Sequence, residues 1–528
     1  MYTKNNKIKT YTRVLLFSFS LLILSSCAKK EVEKQISPDQ VAQLAFSING
    51  IEEASDGTPS KYQASLPQTN TDSESQLLQL GNISAEVSVT SGPIKTQTEP
   101  SNSKQRAANM TDGYKYRVVV VNATTGAVVG SVQATASATG AQAEAAKIDV
   151  VKGGTYKWYA YSYNEAADVP VLPNEANPVF TPSYDKDLLI ASSGSNTVTV
   201  PGTPGQGSAV DVQVPITFKH ALAKVTVRFD ASSRTDAITV LNAALNNAAY
   251  FNKGTVTLNT TSGALAYNIT GQHSVSAINV TLPNNIVSSS FYTLPSGSAI
   301  SNFQVNIANL TVGPLTASNK TVNFANTIVP AVGKEMIANI NILDVTIVSG
   351  VYWATGNLYY ENGVYKIRNE DTTPRPINAA SQYARTDGWN WMSIKPYPTT
   401  YDPRNLVDPC KNVLPLNTWR MPTAAEYNTL LPLANSSTTY ESASSFGSNF
   451  IGYDRFRQNA SSKWVQFNKD GSTLTIGTTG GYWTTDYTTI GSYPFQASIL
   501  YIVNNSKPKV DDYILSGSYY NIRCVLDR

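Results

Sequence analysis

Histidine is nearly absent from this chain. Its 528 residues include two, His220 and His273, and cysteine occurs three times. Charged side chains make up 15% of the sequence, well below the usual quarter. Each shortage excludes something. Neither histidine has a Cys or His neighbour at ligand spacing, which argues against a zinc site and against histidine-based catalysis. The sequence therefore predicts no cofactor and no metal. A formal net charge of +3 gives no electrostatic footprint for nucleic acid. Long apolar runs are missing too, so no stretch after the first few dozen residues is a candidate for a membrane-spanning helix.

What is present begins with a leader. Lys4, Lys7, Lys9 and Arg13 precede "VLLFSFSLLIL" (14–24), which is too short to span a bilayer and suits a signal-peptide core. The run ends in "LSSC", with Cys27 where small residues meet the polar chain. This resembles a bacterial lipobox. The resemblance implies removal of 1–26, lipidation of Cys27 and export as an outer-membrane lipoprotein. Residues 1–26 hold four basic side chains and no acidic one, so their loss takes the formal charge from +3 to −1. The two remaining cysteines, Cys410 and Cys524, are an even pair in an oxidising compartment, and a disulfide is the expected state.

The exported chain divides by texture. Residues 28–106 are mostly polar, with islands at "VAQLAFSING" (41–50) and "ISAEVSVTS" (83–91); Val87 and Val89 alternate, which predicts a strand. From Tyr114 the chain turns β-branched and aromatic, as in "YKYRVVVVN" (114–122) and "TYKWYAYSYN" (155–164), with turn signals between the runs. No long helix and no βαβ rhythm is visible over 107–345. The pattern predicts antiparallel sandwiches. Beyond 350 the composition shifts again, with six of the seven tryptophans and both remaining cysteines. There "TWRMPTAAEYNTLL" (418–431) has the T-x-x-E spacing of a capping box at Thr423 and Glu426, followed by an apolar face of Tyr427, Leu430 and Leu431.

Two family resemblances follow. "NMTDGYKYRVVVVNATTGAVVGS" with "GGTYKWYAYSYN", "DLLIASSGSNTVTV" and above all "FKHALAKVTV" (218–227) is similar to the fimbrillin family of type V pilus subunits. It implies two transthyretin-like, Greek-key β-sandwiches, at 107–234 and 235–348, after an N-terminal segment (27–106) that carries a first strand. It also implies an assembly route. An arginine-specific protease cuts near the start of the first domain, here between Arg106 and Ala107 in "KQRAAN". The released segment, with 41–50 or 83–91 as its strand in the first sandwich, leaves a groove, and a donor strand from the next pilus subunit fills it by β-strand addition. Lys104, two residues earlier, does not suit such a protease.

The second resemblance covers 349–528. "VYWATGNLYYENGVYKI", "DPCKNVLPLNTWRMPTAAEYNTLL", "GGYWTTDY" and "YYNIRCVLD" recur in that order in bacterial surface modules with a C-type-lectin-like α+β fold. It implies a Cys410–Cys524 disulfide and a capped helix packed on the sheet. A related catalytic fold, the formylglycine-generating sulfatase modifier, has a similar W-R-x-P-T helix but works through reactive cysteines that are missing here, so no enzyme is expected. Calcium-lectin motifs are absent, and "DGWNW" (387–391) is a loose echo in which Asp387, Trp389 and Trp391 are the candidate ligand-binding residues. Trp353, Trp419 and Trp483 read as core. The sequence thus predicts a mainly β pilus-associated lipoprotein at the cell surface, a tip subunit with an adhesin module that meets a host glycan or protein. The alternative is a lipidated surface protein that binds such a ligand and never polymerises.

Overall fold

The computed structural model describes residues 41–53, 75–94, 107–137, 146–368, 387–443, 452–469 and 479–527, apart from isolated positions inside those stretches. The fold is mainly β.

Nine strands form the first sheet, which runs Ala107–Ala108, Val41–Glu52, Asp211–His220, Leu189–Ser192, Thr155–Ser162, Lys115–Asn122, Val128–Thr135. Ala146–Val151 pairs with the outer side of Val41–Glu52, and Val198–Thr199 with Thr155–Ser162. The sheet curls until its far strand meets the near one: a Cβ built on Gly130 would stand 2.7 Å from Cγ2 of Ile148. Glycine is what lets those strands pass. The enclosed core holds Leu44, Phe46, Val118, Val120, Trp158, Ile216 and Phe218. Phe46 meets Trp158 edge-on at 5.6 Å.

The chain leaves this sheet at His220 and enters the second at Ala223. Ala223–Asp230 lies between Ile286–Thr293 and Lys334–Leu343, the latter in parallel. The change of sheet thus falls between His220 and Ala223, ahead of the boundary expected at 234. Outside Lys334–Leu343 come Ile83–Pro93 and Gln76–Leu80, so the five-stranded sheet has an N-terminal hairpin as its edge. A three-stranded sheet, Ile238–Leu245, Gln304–Val312 and Leu315–Asn323, closes the sandwich over Val225, Phe251, Phe303 and Ile340. Val179–Phe180, from a loop of the first sheet, pairs with Asn252–Leu258 of the second half. A shared cluster including Tyr159, Phe180, Leu222 and Val256 seals the joint.

Lys334–Leu343 runs on through Asp344 into Val345–Val348, the first strand of the third region. Val345–Val348, Val351–Ala354, Val525–Leu526 and Trp419–Arg420 form one small sheet there. The connection is packed as well as covalent. Leu343 and Val345 belong to the core with Trp389 and Trp419, against which Leu77 of the N-terminal hairpin also rests. The buried Arg234 guanidinium reaches Asp344 at 2.6 Å, and Ile367 N–H donates to Ser233 O.

Candidate functional site: the N-terminal strands and the disulfide-tied module

Both apolar islands of the N-terminal segment are strands, and they serve different sheets. Val41–Glu52 sits inside the first sheet. It runs parallel to Asp211–His220 from Gln43 to Glu52, with one irregularity at Gly50, and antiparallel to Ala146–Val151 from Val41 to Phe46. Leu44, Ala45 and Phe46 are completely buried. Ile51 and Glu52 then pair with Ala108 and Ala107. The main chain just after the expected cut thus returns to the strand that the cut would release.

Ile83–Pro93 pairs with Lys334–Leu343 over ten residues, and Ile83, Ala85, Val87 and Val89 point into the second core. Of the two alternatives for the first sandwich, 41–50 lies in the first sheet, whereas the partner strand of 83–91 lies some 250 positions away, in the second. The N-terminal segment therefore threads both halves. Cys27 and Arg106 lie outside the described residues, and of Ala107 only its backbone pairing is described.

In the third region Cys410 and Cys524 are disulfide-bonded, with Cα atoms 5.8 Å apart and a sequence separation of 114. Asp408 organises the bonded segment. Its Oδ1 accepts from Cys410 N–H and its Oδ2 from Met421 N–H, both at 2.9 Å. Burial raises the Asp408 carboxyl above its ordinary value, and those two N–H groups, with Lys411 and Arg420, oppose the shift. The capping box is formed: Glu426 N–H donates to Thr423 Oγ1 at 3.1 Å, and Thr423 N–H to Glu426 Oε2 at 2.8 Å. Arg420 grips the same carboxylate with two bonds of 2.8 and 2.6 Å and reaches Asp527 at 3.2 Å. Burial alone would raise Glu426, but Arg420 and Thr423 hold it below its ordinary value. The helix, Ala424–Asn428, turns Tyr427 inward to stack on Trp353 at 5.1 Å.

The expected ligand residues Asp387, Trp389 and Trp391 all lie in the interior. Trp389 and Trp391 are buried, and their ring N–H groups donate to Leu358 O and Thr484 O. Asp387 is closed off by a two-bond pair with Arg368 at 2.7 and 2.6 Å. Trp464, which the sequence reading did not single out, is half-buried with the Arg455 and Arg457 guanidinium groups over its ring at 4.7 and 4.2 Å. A single sequence offers no period or motif that marks such a site. In the second half, a cleft of about 350 Å³ is lined by Asn247, Tyr250, Asn252, Ile269 and Ser298.

Among the described residues no group of three His, Cys, Asp or Glu side chains could hold a metal ion. His220 is buried against Asp187 at 3.0 Å, and His273 meets Tyr184 edge-on. No helix among the described residues is long and apolar enough to cross a membrane, which says nothing of strands.

No protein-family model matches the sequence, and no curated protein matches it. Solved structures give distant likenesses. One, described as a cell adhesion protein of Bacteroides fragilis, aligns over 59% of this chain and 95% of its own at 12% identity, with a TM-score of 0.32. The fimbrial anchor protein Mfa2 of Porphyromonas gingivalis aligns over 43% and 78% at 14% identity and 0.24. A fimbrial assembly protein of Parabacteroides distasonis aligns over 43% and 82% at 11% and 0.25. Similarity this slight fixes neither fold nor activity.

Proposed function

We propose that the protein is a non-enzymatic adhesive subunit of a surface fimbria. It is exported as a lipoprotein through Cys27, freed of its N-terminal segment by an arginine-specific protease at Arg106, and completed by a donor strand from a neighbouring subunit, with 349–528 as a lectin-like adhesin module. The reading rests above all on Val41–Glu52. A strand that lies within a sheet, is covered on both edges over Gln43–Phe46 and has a buried apolar face would leave a lined groove if withdrawn. Unpaired N–H and C=O groups on both walls make refilling by another strand strongly favourable.

One strand of the third region bears on the proposed tip position. Val525–Leu526 is held between Val351–Ala354 and Trp419–Arg420, and Cys524 beside it is bonded to Cys410. That strand is not available for donation while the bond and the sheet persist.

One observation favours the alternative of an uncut, non-polymerising surface lipoprotein. Release at Arg106 would take strands from both halves at once, since 76–93 belongs to the second core. Treating the exported protein with an arginine-specific protease separates the two readings. Subunit assembly predicts a new N-terminus at Ala107 and loss of that product in Arg106→Ala. Cleavage elsewhere only, or none, leaves the uncut lipoprotein.

A further inference from the structure

The side chains of Lys469 and Asp454 are both completely buried, and Lys469 Nζ stands 3.1 Å from Asp454 Oδ1. They belong to a three-stranded sheet of Tyr440–Ala443, Tyr453–Phe456 and Val465–Asn468. Asp454 is opposite Ser442 on one side and Phe467 on the other. Lys469 follows Phe467 by two, so strand alternation puts all four on one face. Phe456, Val465 and Phe467 on that face pack into an aromatic cluster with Trp353, Tyr427 and Tyr482. Lys469 Nζ donates to Ser442 Oγ at 3.0 Å and to Ala443 O at 3.1 Å. Lys469, Ser442 and Tyr440 all stand beside the Asp454 carboxyl.

An ion pair in such a place has lost the hydration of both charges and has chiefly their mutual attraction in return. Burial raises the Asp454 carboxyl above its ordinary value, with Lys469 opposing. That burial penalises the carboxylate and so favours the neutral acid that condensation needs.

We propose that Lys469 and Asp454 condense into an amide, an intramolecular cross-link from the middle strand of this sheet to the end of its third. One proton passes from Nζ to the carboxylate, which leaves a neutral amine facing a neutral acid. The nitrogen lone pair attacks Cγ and the N–C bond forms. A second proton passes from nitrogen to the acid's hydroxyl, relayed by Ser442 Oγ, and the C–OH bond breaks. The ammonium and carboxylate thus become one amide and one water, and nothing is oxidised or reduced. Two effects drive the step. The fold already holds the reacting groups together, which replaces a bimolecular encounter. The product carries no buried charge, so the desolvation penalty of the ion pair disappears.

Peptide mass mapping of the reduced, denatured full-length protein after trypsin digestion tests this. The expected result is a branched species, the peptide ending at Arg455 joined to the one starting at Trp464. It weighs one water less than their sum and is uncut at Lys469. Lys469→Arg should restore two separate linear peptides. Ser442→Ala should form the cross-link more slowly after refolding, at unchanged circular dichroism; formation at the parental rate overturns the part given to Ser442. Two linear wild-type peptides with normal cleavage at Lys469 overturn the proposal. So does a water loss that maps to the adjacent Asp470–Gly471 bond, because that would be ring closure within one peptide.

Discussion

Glu426 shows how much one side chain can organise. It caps its own helix, accepts both arms of Arg420 and so ties the helix to the strand before it. The capping box was legible in the sequence because T-x-x-E is a local pattern with a local mechanism. Arg420's part was not, since a basic residue six positions upstream has no fixed partner until the chain turns. Because Glu426's folded carboxyl is held below its ordinary 4.5, the unfolded chain takes up the proton first. The stability it lends is whole above that pH and is lost as pH falls through the lower folded value. Buried Asp408, which is raised, acts in the opposite sense. The difference between wild type and Glu426→Gln isolates the first effect. Thermal melts should show a wild-type advantage at pH 7 of about 1–3 kcal/mol that shrinks as the solution is acidified below 4.5. A pH-independent difference would assign the effect to packing alone. The disulfide is a residue-scale feature with a longer reach. Closing a loop of 114 residues is worth roughly 4–5 kcal/mol on chain-entropy grounds. Cys410→Ser should lower the melting temperature of 349–528 markedly and leave amide protection in the first sheet nearly unchanged, as hydrogen exchange would record.

At the scale of elements, the sequence showed faces but not partners. Alternating Val87 and Val89 in 83–91 announced a strand with one buried side, and the structure buries both residues. Alternation says nothing about which sheet receives that side. Here the receiving strand, Lys334–Leu343, lies in the other half of the molecule. Likewise Ala223–Asp230, which carries part of the 218–227 motif, pairs on both sides with strands of the second half. The aromatic motif at 387–391 shows the same limit of local pattern in another way. Trp389 and Trp391 stand two apart, and both are interior because Trp389 lies against the Tyr520 main chain while Trp391 reaches Thr484. Strand-specific substitutions can test the assignment. Val87→Asp puts a carboxylate in the second core and should cost at least about 2 kcal/mol there. Phe46→Ala should cost about 3–5 kcal/mol in the first. Hydrogen exchange should place the loss of protection at 223–343 for the former and at 115–220 for the latter. Loss in the opposite halves would contradict the pairing.

For the whole molecule, the N-terminal segment acts as a thread through three regions. Val41–Glu52 is in the first sheet, Ile83–Pro93 in the second, and Leu77 between them rests on the core of the third. This has a consequence for any cut at Arg106. Breaking one peptide bond removes none of the main-chain pairs of those strands, and Leu44, Phe46, Ile83 and Val87 remain buried after the cut. A nicked protein should therefore keep its N-terminal fragment through size-exclusion chromatography in buffer. The fragment should leave only under denaturant or when a competing strand displaces it. Because the fragment serves both halves, its departure should weaken both together, and a donor that replaces only Val41–Glu52 should leave the edge of Lys334–Leu343 open. Two synthetic peptides, one copying 41–52 and one copying 76–93, separate the contributions. Added to fragment-depleted protein, either alone should restore protection in one half, and both together should restore the parental melting temperature. Spontaneous loss of the fragment on nicking, or full recovery with a single peptide, would show that the two halves do not depend on one thread.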